Sequence, residues 1–588
     1  MALTLAIPQF ALAQTTATKP SAVAPVAVAQ PLKAIYLEGY VPTPQSTTKR
    51  VYMVINNGVI ETLSDEQLTA DQIPAGAIKI TEKSAGAKLL LSPGFIDMHN
   101  HLDHAVIPLW KGAEGQFHNR FAWRDNDDYE KNVRGQVTTI KAGAKSFGIE
   151  SNFCKIIQYA EMKALLGGVT TIQGIGGTGN NACAFGHLIR NVENKADFDV
   201  TTDARVSFEV INPVHGLMMQ NHLLPIMKST GADIDEAYSQ VPQDVKDSEP
   251  FSKRFKPTEL TNLVEIFSKL KGLRETFQNM VTVNPEGNGK NRAYITHLAE
   301  GKSADPFSKS EFKMAQAMGF AQPGMVMIHG IGLDADDWIE AKKTDVNLVW
   351  SPFSNLLLYG ETTDVASAKK AGINISLGSD WAPSGSKTLL DEVKIAKRYL
   401  NASGQGMIFS DKDFHDMLTI NAANALKLEK KIGLIEAGYL ADIVAVPLGS
   451  AKENPYSTIV NSDSSNIKLV IIGGKLVIGS KKLVQVGDKV EPILAQQTPA
   501  CAKLKGQVVI NLGFSLQGTI ATLTPLVHVM DGHITCADKL YQSKINQLFD
   551  TQFNPANRGQ IDLALDAERF ENLNFGLTDL LSNRQPVK

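Results

Sequence analysis

Five side chains of types that bind divalent cations lie at the ends of short apolar segments in this 588-residue chain. They are His99 and His101 after KLLLSPGFIDM, and His297, His329 and Asp380 at the ends of AYITH, MVMIH and INISLGSD. In a strand, residues i and i+2 point to the same face, so the imidazoles of His99 and His101 can reach one cation. A lone histidine at a strand end is usually an ordinary loop or core residue, but this many ligand-type residues at strand ends are hard to produce by chance. The pattern therefore predicts a site for a divalent metal ion.

The elements that must position these residues are apolar strands that alternate with helical segments from about residue 88 onwards. Further strands are predicted at 169–173 and 205–212, and helices at 258–278 and 387–400, among others. Repeated β-then-α units indicate an α/β fold with a parallel sheet and right-handed crossovers. A (β/α)8 TIM barrel is the natural interpretation, because the carboxyl ends of its strands converge on one mouth where active sites form. An open doubly wound sheet is the alternative.

The segments on either side of the predicted barrel resemble each other, since both are β-like and punctuated by glycine. We expect residues 31–90 and 432–490 to pack into one small composite β-sandwich domain beside the TIM barrel of residues 91–431. Residues 491–588 form a C-terminal extension without a predicted role. Residues 1–30 are predicted to be a signal-like segment followed by a linker.

The N-terminal segment favours export. Its apolar run ends in Ala11-Leu12-Ala13 before Gln14, which fits a small-x-small cleavage site, although a basic start is missing and Pro8 interrupts the run. We therefore predict a periplasmic or secreted protein; the alternative is a cytoplasmic protein with a disordered, Ala-rich tail. No later stretch has 18 uninterrupted apolar residues, so no transmembrane helix is predicted.

Composition and cysteine content narrow the class of protein further. Lys and Arg number 58 and Asp and Glu 61, for a formal net charge of −3, which gives no support to a nucleic-acid or anionic-membrane partner. The chain has four cysteines. In an exported protein Cys501 and Cys536 could form a disulfide, or they could remain two reduced thiols. Cys154 and Cys183 are expected to be core residues.

Four motifs at the ends of predicted strands resemble those of the amidohydrolase superfamily: HNH (99–101), HLAE (297–300), IHG (328–330) and LGSD (377–380). Within it, the chain is similar to the triazine-hydrolase and guanine-deaminase branch. That similarity rests on WSPFSNLLLYG (350–360), SDWAPSGS (379–386), NAANALKL (421–428) and IGLIEAGYLADIVAV (432–446). The resemblance covers about residues 33–480, and the motifs are specific only in combination.

The resemblance implies that one divalent metal ion, Zn²⁺ or Fe²⁺, is held by His99, His101, His297 and Asp380. The metal would lower the pKa of a bound water, so that hydroxide exists near neutral pH. Asp380 would accept the proton of this water as general base, and Glu300 would shuttle it to the substrate or leaving group. His329 would orient the hydroxide and stabilise developing negative charge.

The same resemblance bears on the number of metal ions. Members with two metals bridge them with a carboxylated lysine near the fourth strand, and the segment RVSFEVIN (205–212) has no lysine, which favours one metal. Glu209 in this segment could be a bridging carboxylate, but an ordinary pocket or packing residue is the preferred interpretation.

The expected activity is metal-dependent hydrolysis of a non-peptide C–N bond, in which metal-activated hydroxide deaminates a heterocyclic small molecule. One alternative is a ring hydrolase acting on a cyclic amide or imidazolone. Another is a catalytically inactive secreted binding protein, against which Glu300 and His329 argue because the fold alone does not need them. A homo-oligomer is compatible with the sequence.

Two loops complete the prediction. Residues 174–179 (GIGGTG) match GxGxxG and Asp199 follows twenty residues later, as in a dinucleotide site, but the strand before them is the second of its series and the sequence after them opens a helix poorly. We interpret them as a loop that lines the barrel mouth. The long loop after the first strand contains Trp110, Phe117, Phe121 and Trp123, which either wall a flat substrate or simply pack the loop. By position alone, Asn355 and Trp381 are also expected to face substrate.

Overall fold

The structure is a computed structural model. It describes residues 32–107, 109–110, 112–113, 115, 117–124, 126–142, 152–174, 183, 188–194, 196–202, 222–232, 234–247, 293–317, 319–450, 453–492 and 507–523. Several expectations lie outside these residues: the signal-like segment 1–30, the strand 205–212 with Glu209, the helix 258–278, most of the GIGGTG loop, and Cys501 and Cys536.

The strands are, in chain order, β1 (Ile35–Pro42), β2 (Thr48–Asn56), β3 (Val59–Ser64), β4 (Ile78–Ile80), β5 (Leu89–Pro93), β6 (Phe95–Asp97), β7 (Val169–Ile172), β8 (Arg190–Asn191), β9 (Thr201–Thr202), β10 (Tyr294–Leu298), β11 (Met325–His329), β12 (Asn347–Trp350), β13 (Ile375–Leu377), β14 (Ile443–Pro447), β15 (Leu469–Ile472), β16 (Lys475–Ser480), β17 (Val490–Pro492) and β18 (Gln507–Ile510).

The α-helices span Glu82–Ala85, Arg120–Arg124, Asp127–Tyr129, Gly135–Ala142, Phe153–Leu166, Leu224–Thr230, Ile234–Gln240, Gln243–Asp247, Pro306–Ala317, Ala335–Lys343, Pro352–Tyr359, Val365–Lys370, Leu389–Ala402, Asp411–Leu418, Ile420–Ala425, Pro455–Val460 and Leu516–Leu523. Helix ends follow local chemistry: Pro352 lies in the first turn of its helix, where a missing N–H costs no hydrogen bond, and Gly360 ends that helix in the left-handed conformation. Within the described residues, no helix is long and apolar enough to cross a membrane.

The strands that carry the predicted site residues are parallel. They form a three-stranded sheet, β6-β7-β8, and a five-stranded sheet, β13-β12-β11-β10-β9. Every residue of β11 is buried, as expected for a parallel strand that is covered on both faces. Backbone hydrogen bonds also join the two sheets, from Met98 N to Leu377 O (3.2 Å) and from Val200 N to Val192 O (2.8 Å). The prediction of an α/β fold with parallel strands is thus confirmed.

Two of the parallel strands were not predicted. Strands β8 and β9 contain only two residues each, so they are too short to show a periodic pattern. The strand before the first histidines was predicted to run into His99 and His101, but β6 ends at Asp97, and both histidines follow in the loop. Asp380 likewise lies three residues beyond the end of β13.

A separate ten-stranded sheet contains strands from both ends of the described chain, in the order β17-β18-β16-β15-β14-β5-β1-β2-β3, with β4 beside β1. Its two halves meet where β5 pairs with β14 in antiparallel register, from Ile443 opposite Pro93 to Pro447 opposite Leu89. One face buries a continuous apolar cluster that includes Leu89, Leu91 and Ile443. The sheet continues past residue 490, where the C-terminal extension was predicted to begin, because β18 (Gln507–Ile510) pairs with β16.

One disulfide is present among the described residues. It joins Cys154, at the start of the helix Phe153–Leu166, to Cys183, and the two Cα atoms lie 5.4 Å apart, within the range for such bonds. The two cysteines were expected to be core residues; Cys183 is buried, and Cys154 is partly buried and packs against the core. The disulfide between them was not predicted.

Candidate metal centre

The five predicted ligand-type side chains meet at the carboxyl ends of the parallel strands. His99 Nε2 lies 3.0 Å from Asp380 Oδ1, and His101 Nε2 lies 3.5 Å from the same oxygen. The rings of His99 and His297 are 4.6 Å apart between centroids. Two overlapping sets, His99 with His297 and His329, and His99 with His101 and Asp380, each have their ligand atoms within 4.8 Å of one another. Side chains that are up to 281 positions apart in the chain thus converge on one point.

His99 and His101 lie in the loop after β6, so the alternation of side chains along a strand does not bring them together. Asn100 forms a parallel bridge with Asp380, and Asp380 N donates a hydrogen bond of 2.8 Å to His99 O. Gly378 passes so close to His99 that a Cβ at this position would collide with the backbone and Cβ of that residue. The absence of a side chain at Gly378 therefore permits the contact between His99 and Asp380.

Three residues at these strand ends adopt the left-handed backbone conformation, which non-glycine residues rarely do. The φ angles are 52° for Ala299, 72° for His329 and 60° for Asp380. Each such residue costs about 1 kcal/mol or more, and conformations of this kind collect at functional sites. Ala299 directly follows β10, His329 is the last residue of β11, and Asp380 lies three residues beyond β13, so all three are near the point where the ligand-type side chains converge.

The hydrogen bonds of His99 test whether these residues fit a cation. Gln173 Nε2 donates to Glu193 Oε1 (2.9 Å), so Gln173 Oε1 faces His99 Nδ1 at 3.3 Å and accepts its proton. The lone pair of His99 is then on Nε2, which is buried and has no hydrogen-bond partner among the described residues although Asp380 Oδ1 is 3.0 Å away. A lone pair that faces a carboxylate oxygen is unfavourable unless a cation lies between them. This pair of atoms, with two further imidazoles nearby, therefore fits a divalent metal ion.

His329 has a similar amide partner. Its Nδ1 lies 2.8 Å from Asn355 Oδ1, and Asn355 Nδ2 donates to Thr362 Oγ1 at 3.0 Å, which fixes the orientation of the amide. The proton of the neutral ring is therefore on Nδ1, and Nε2 is an acceptor. Burial lowers the pKa of His329 to about 4, despite the carboxylates of Glu300 and Asp380 nearby, so the ring is neutral at pH 7. Asn355 is therefore buried and bonded to His329, whereas it was expected to face substrate.

Two carboxyl groups lie beside the imidazoles. Burial acts to raise the pKa of Asp380, but positive charge facing it on the imidazole side, first at His99, holds that pKa well below its usual range, so the ionised carboxylate is suited to a cationic partner here. Glu300 is 3% exposed; its Oε1 accepts a hydrogen bond of 2.6 Å from the Tyr359 hydroxyl and lies 3.8 Å from His329 Nε2. The site therefore places one ionised carboxylate and one buried carboxyl group on either side of a neutral imidazole.

The structure also identifies contacts that the sequence did not. Gln173 and Glu193 follow β7 and β8, and a search for polar residues after every parallel strand would have found Gln173. Asp97 is buried at the end of β6 and accepts hydrogen bonds from Ser379 N (3.0 Å) and Asn100 Nδ2 (3.1 Å), which ties the loop of the first histidines to that of Asp380. Tyr359 ends an apolar helix, and the motif WSPFSNLLLYG that contains it did not indicate its hydrogen bond to Glu300.

The loop after β6 supplies an aromatic cluster next to the centre. Trp123 packs on Trp381 (5.1 Å between centroids) and Tyr129 (5.0 Å), and Trp110 stacks on Phe117 (5.5 Å). All of these rings are buried, which agrees with the packing interpretation of Trp110, Phe117 and Trp123. Phe121 lies apart from them and contacts Phe307. Among the predicted ligands, the side chain of His101 is 38% exposed while that of His99 is 1% exposed, so the described part of the centre opens on the His101 side.

Comparison with known proteins supports the family resemblance. Residues 281–477 match the model of the amidohydrolase family. The 5-methylthioadenosine/S-adenosylhomocysteine deaminase of Thermococcus sibiricus is 26% identical over 194 residues, which cover 31% of this chain and 45% of that protein. The enzyme of the same name from Thermodesulfovibrio yellowstonii is 32% identical over 177 residues, or 29% of this chain and 40% of that protein. The chain thus matches less than half the length of these relatives.

Among solved structures, a triazine hydrolase variant has a TM-score of 0.51 and 15% identity, over 84% of this chain and 99% of that one. The atrazine chlorohydrolase of Arthrobacter aurescens TC1, crystallised with zinc, has a TM-score of 0.50 and 14% identity, over 84% and 100% of the two chains. At this identity the likeness concerns the fold. The matched segment 281–477 contains His297, Glu300, His329 and Asp380, whereas His99 and His101 lie before it. By that segment the chain is similar to the amidohydrolase family.

Proposed function

We propose that this protein is a metal-dependent hydrolase that deaminates a heterocyclic small molecule. The observation that carries the proposal is the lone pair of His99 Nε2 facing Asp380 Oδ1 at 3.0 Å, in a buried cluster that also contains Glu300 and His329. The names of the curated relatives, which are deaminases of a nucleoside-like substrate, support the same reaction class.

We infer that the two parallel sheets close into one (β/α)8 barrel. The strands occur in the cyclic order of such a barrel, and backbone hydrogen bonds join β6 to β13 through Met98 and Leu377, and the end of β8 to the start of β9 through Val192 and Val200. The ten-stranded sheet is then the composite β domain. The mouth of the barrel is where the carboxyl ends of the strands present their polar side chains.

In this proposal one metal ion, zinc in preference to iron, is held by His99, His101, His297 and Asp380. When bound, it would lower the pKa of water at this site towards neutrality. Asp380 takes a proton from the attacking water, because it is the ionised carboxylate of the cluster. Glu300 delivers a proton to the leaving nitrogen from its buried position.

His329 plays a narrower part than the family resemblance implies. Because its Nδ1 proton is committed to Asn355, the Nε2 atom of the neutral ring accepts a hydrogen bond and cannot donate one. His329 can therefore orient the attacking water through Nε2. Donation to a developing negative charge would require a protonated ring, which the lowered pKa disfavours.

The proposal is tested with the purified full-length chain, stripped of metal by a chelator and reloaded with zinc. We expect ammonia release from at least one member of a panel of aminopurines, aminopyrimidines, nucleosides and aminotriazines, and loss of this activity without metal. Glu300→Gln is expected to lower kcat by a factor of about 10² to 10⁴ while zinc content stays unchanged. Full zinc binding without turnover of any member of the panel would contradict the deaminase proposal.

We further propose that the protein is exported. The disulfide between Cys154 and Cys183 supports this, because such bonds persist in oxidising compartments. The small-x-small sequence Ala11-Leu12-Ala13 supplies a candidate cleavage site. N-terminal sequencing of the mature protein after cell fractionation tests the proposal, and a cytoplasmic product that retains Met1 would contradict it.

A further inference from the structure

We propose that Trp123 and Tyr359 are positioning residues that determine which oxygen of Glu300 carries the proton transferred in the reaction. This inference rests on the proposed function, since it concerns how Glu300 acts in it. It is carried by an uninterrupted chain of hydrogen bonds: Trp123 Nε1 donates to the Tyr359 hydroxyl at 2.8 Å, and that hydroxyl donates to Glu300 Oε1 at 2.6 Å.

The direction of both bonds follows from the chemistry of the groups. An indole N–H can only donate, so the Tyr359 oxygen must accept from Trp123. The single hydroxyl proton is then left for Glu300. Burial, and after it the charge of Glu300, raise the pKa of Tyr359 well above its ordinary value, so the hydroxyl keeps this proton. Without Trp123 the Tyr359 hydroxyl could rotate. With Trp123 bonded to its oxygen, the hydroxyl proton points to one acceptor, Glu300 Oε1.

The consequence for Glu300 is a difference between its two oxygens. In a carboxylic acid the carbonyl oxygen is the better acceptor, so a hydrogen bond from Tyr359 to Oε1 places the acid proton on Oε2. Oε2 then gives its proton to the leaving nitrogen, which receives the electron pair of the breaking C–N bond. Glu300 becomes ionised, with Oε1 still bonded to Tyr359. The proton that Asp380 has removed from water restores the acid, so the proton balance of the hydrolysis closes.

The same loop that supplies Trp123 also holds the backbone of Glu300. Arg120 N donates to Glu300 O at 3.2 Å, and Glu311 Oε2 accepts from Ala299 N at 2.6 Å. The side chains of Arg120 and Glu311 form an ion pair that is fully buried. Both the backbone and the carboxyl group of Glu300 are therefore positioned by the helix Arg120–Arg124, which lies outside the parallel strands.

Trp123 also contacts the other carboxylate arm of the centre. Its ring lies 5.1 Å from that of Trp381, whose backbone N donates to Asp380 Oδ1 at 2.7 Å. One indole thus bonds through Tyr359 to the proposed proton donor and packs on the neighbour of the proposed base. A substitution at Trp123 is therefore expected to disturb the geometry of both proton-transfer groups, Glu300 and Asp380.

The test uses the zinc-loaded full chain with indole-labelled tryptophan, whose five indole N–H signals are followed by NMR. Trp123→Phe identifies the signal of Trp123 by its loss. Tyr359→Phe, which removes the acceptor, is expected to move that signal towards the position of an unbonded indole. Glu300→Gln is expected to move it as well, because the acceptor of the Tyr359 hydroxyl changes from a carboxyl oxygen to an amide oxygen, which changes the polarisation of that hydroxyl. These shifts do not depend on turnover.

The kinetic arm compares kcat and KM for ammonia release. We expect Tyr359→Phe and Trp123→Phe to lower kcat by about tenfold with KM and zinc content unchanged, and more strongly for substrates with poorer leaving groups. Two matched controls keep kcat. Tyr36→Phe removes a partly buried tyrosine–glutamate bond in the ten-stranded sheet, where the Tyr36 hydroxyl donates to Glu38. Trp338→Phe removes a buried indole N–H that has no hydrogen-bond partner in the described part of the chain.

The outcomes separate the two proposals. If the Trp123 signal moves in neither Tyr359→Phe nor Glu300→Gln, the proposed hydrogen-bond relay from Trp123 through Tyr359 to Glu300 is overturned, whatever the activity of these variants. Unchanged kcat in Tyr359→Phe overturns it too. If the parent protein turns over no heterocycle, the proposed function fails and the relay is judged on the NMR response to Glu300→Gln alone. The same response decides the matter if Tyr359→Phe does not fold.

Discussion

Asp391 is a buried carboxyl group that is not one of the proposed metal ligands, and its removal should stabilise the protein at neutral pH. It lies in the first turn of the helix Leu389–Ala402 and is 0% exposed. Neither of its carboxylate oxygens has a hydrogen-bond partner among the described residues. Burial raises the pKa of Asp391 from 3.8 to about 6, although the charge of Lys394 acts in the opposite direction.

The sign of the pH dependence follows from this direction. Because the folded protein binds the proton more tightly than the unfolded chain, the folded state carries more protons between pH 4 and 6, and stability falls as pH rises through this window. A raised pKa of about 2 units corresponds to a total loss of ~3 kcal/mol by neutral pH. Asn cannot ionise, so Asp391→Asn should avoid this loss, although its amide is also left without partners and costs ~1 kcal/mol at every pH.

The measurement is urea unfolding of the parent protein and of Asp391→Asn in parallel at pH 4.5 and pH 7.5. The stability of the variant relative to the parent should increase by ~2 kcal/mol between these two values. Changes common to both proteins, such as protonation of the histidines of the metal centre, cancel in this comparison. Asp336→Asn, the same substitution at an exposed position, serves as the control and should change little at either pH. A difference between parent and Asp391→Asn that stays constant with pH would refute the reasoning.

Three further predictions concern contacts around the centre and its covering loop. Gln173→Leu removes the acceptor of His99 Nδ1, so zinc affinity measured by competition with a chelator should fall by about 10- to 100-fold; unchanged affinity would show that the amide does not orient the ring. Arg120→Met leaves Glu311 buried and unpaired and should lower the free energy of unfolding by ~3–5 kcal/mol. Replacing Glu311 by Leu in the same protein should recover most of this loss. Equal destabilisation of the single and the double variant would contradict this. Cys154→Ser should lower the free energy of unfolding by ~2–4 kcal/mol under oxidising conditions and have little effect in the presence of a reductant, a difference that would be absent if the disulfide did not form.

The sequence located the ends of the strands that carry the centre because each of them combines a short apolar run with a polar terminus. His297 and His329 are examples, since His297 is the second-to-last residue of β10 and His329 is the last residue of β11. The convergence of His99 and His101 was expected from strand alternation, but it comes from the loop after β6 and its bridge to Asp380. The prediction that His99 and His101 lie close together is thus confirmed, but the geometric reason given for it was wrong.

What the sequence did not predict are contacts made between elements that are distant in the chain. Gln173 and Tyr359 each touch a site residue through one hydrogen bond, and their relation to it depends on how strands and helices approach in space. A two-residue strand such as Thr201–Thr202 forms only because β10 offers it a partner. Local propensity and periodicity contain no information on either kind of contact.

The choice of amides rather than carboxylates beside the imidazoles has a chemical consequence. A carboxylate that accepts the second N–H of a histidine raises its basicity as a metal ligand, whereas an amide fixes the same tautomer without adding charge. Among the proposed ligands, His99 has Gln173 as its partner, so this ring gains no electron density from a direct anionic neighbour at Nδ1. A metal ion held by less basic ligands retains more positive charge and acidifies water more strongly. Replacing Gln173 by Glu together with Glu193 by Gln, which keeps a hydrogen bond between the two side chains, should therefore tighten zinc binding while shifting the pH dependence of turnover to higher pH. Weaker binding with an unshifted profile would show that the charge at this position does not reach the metal.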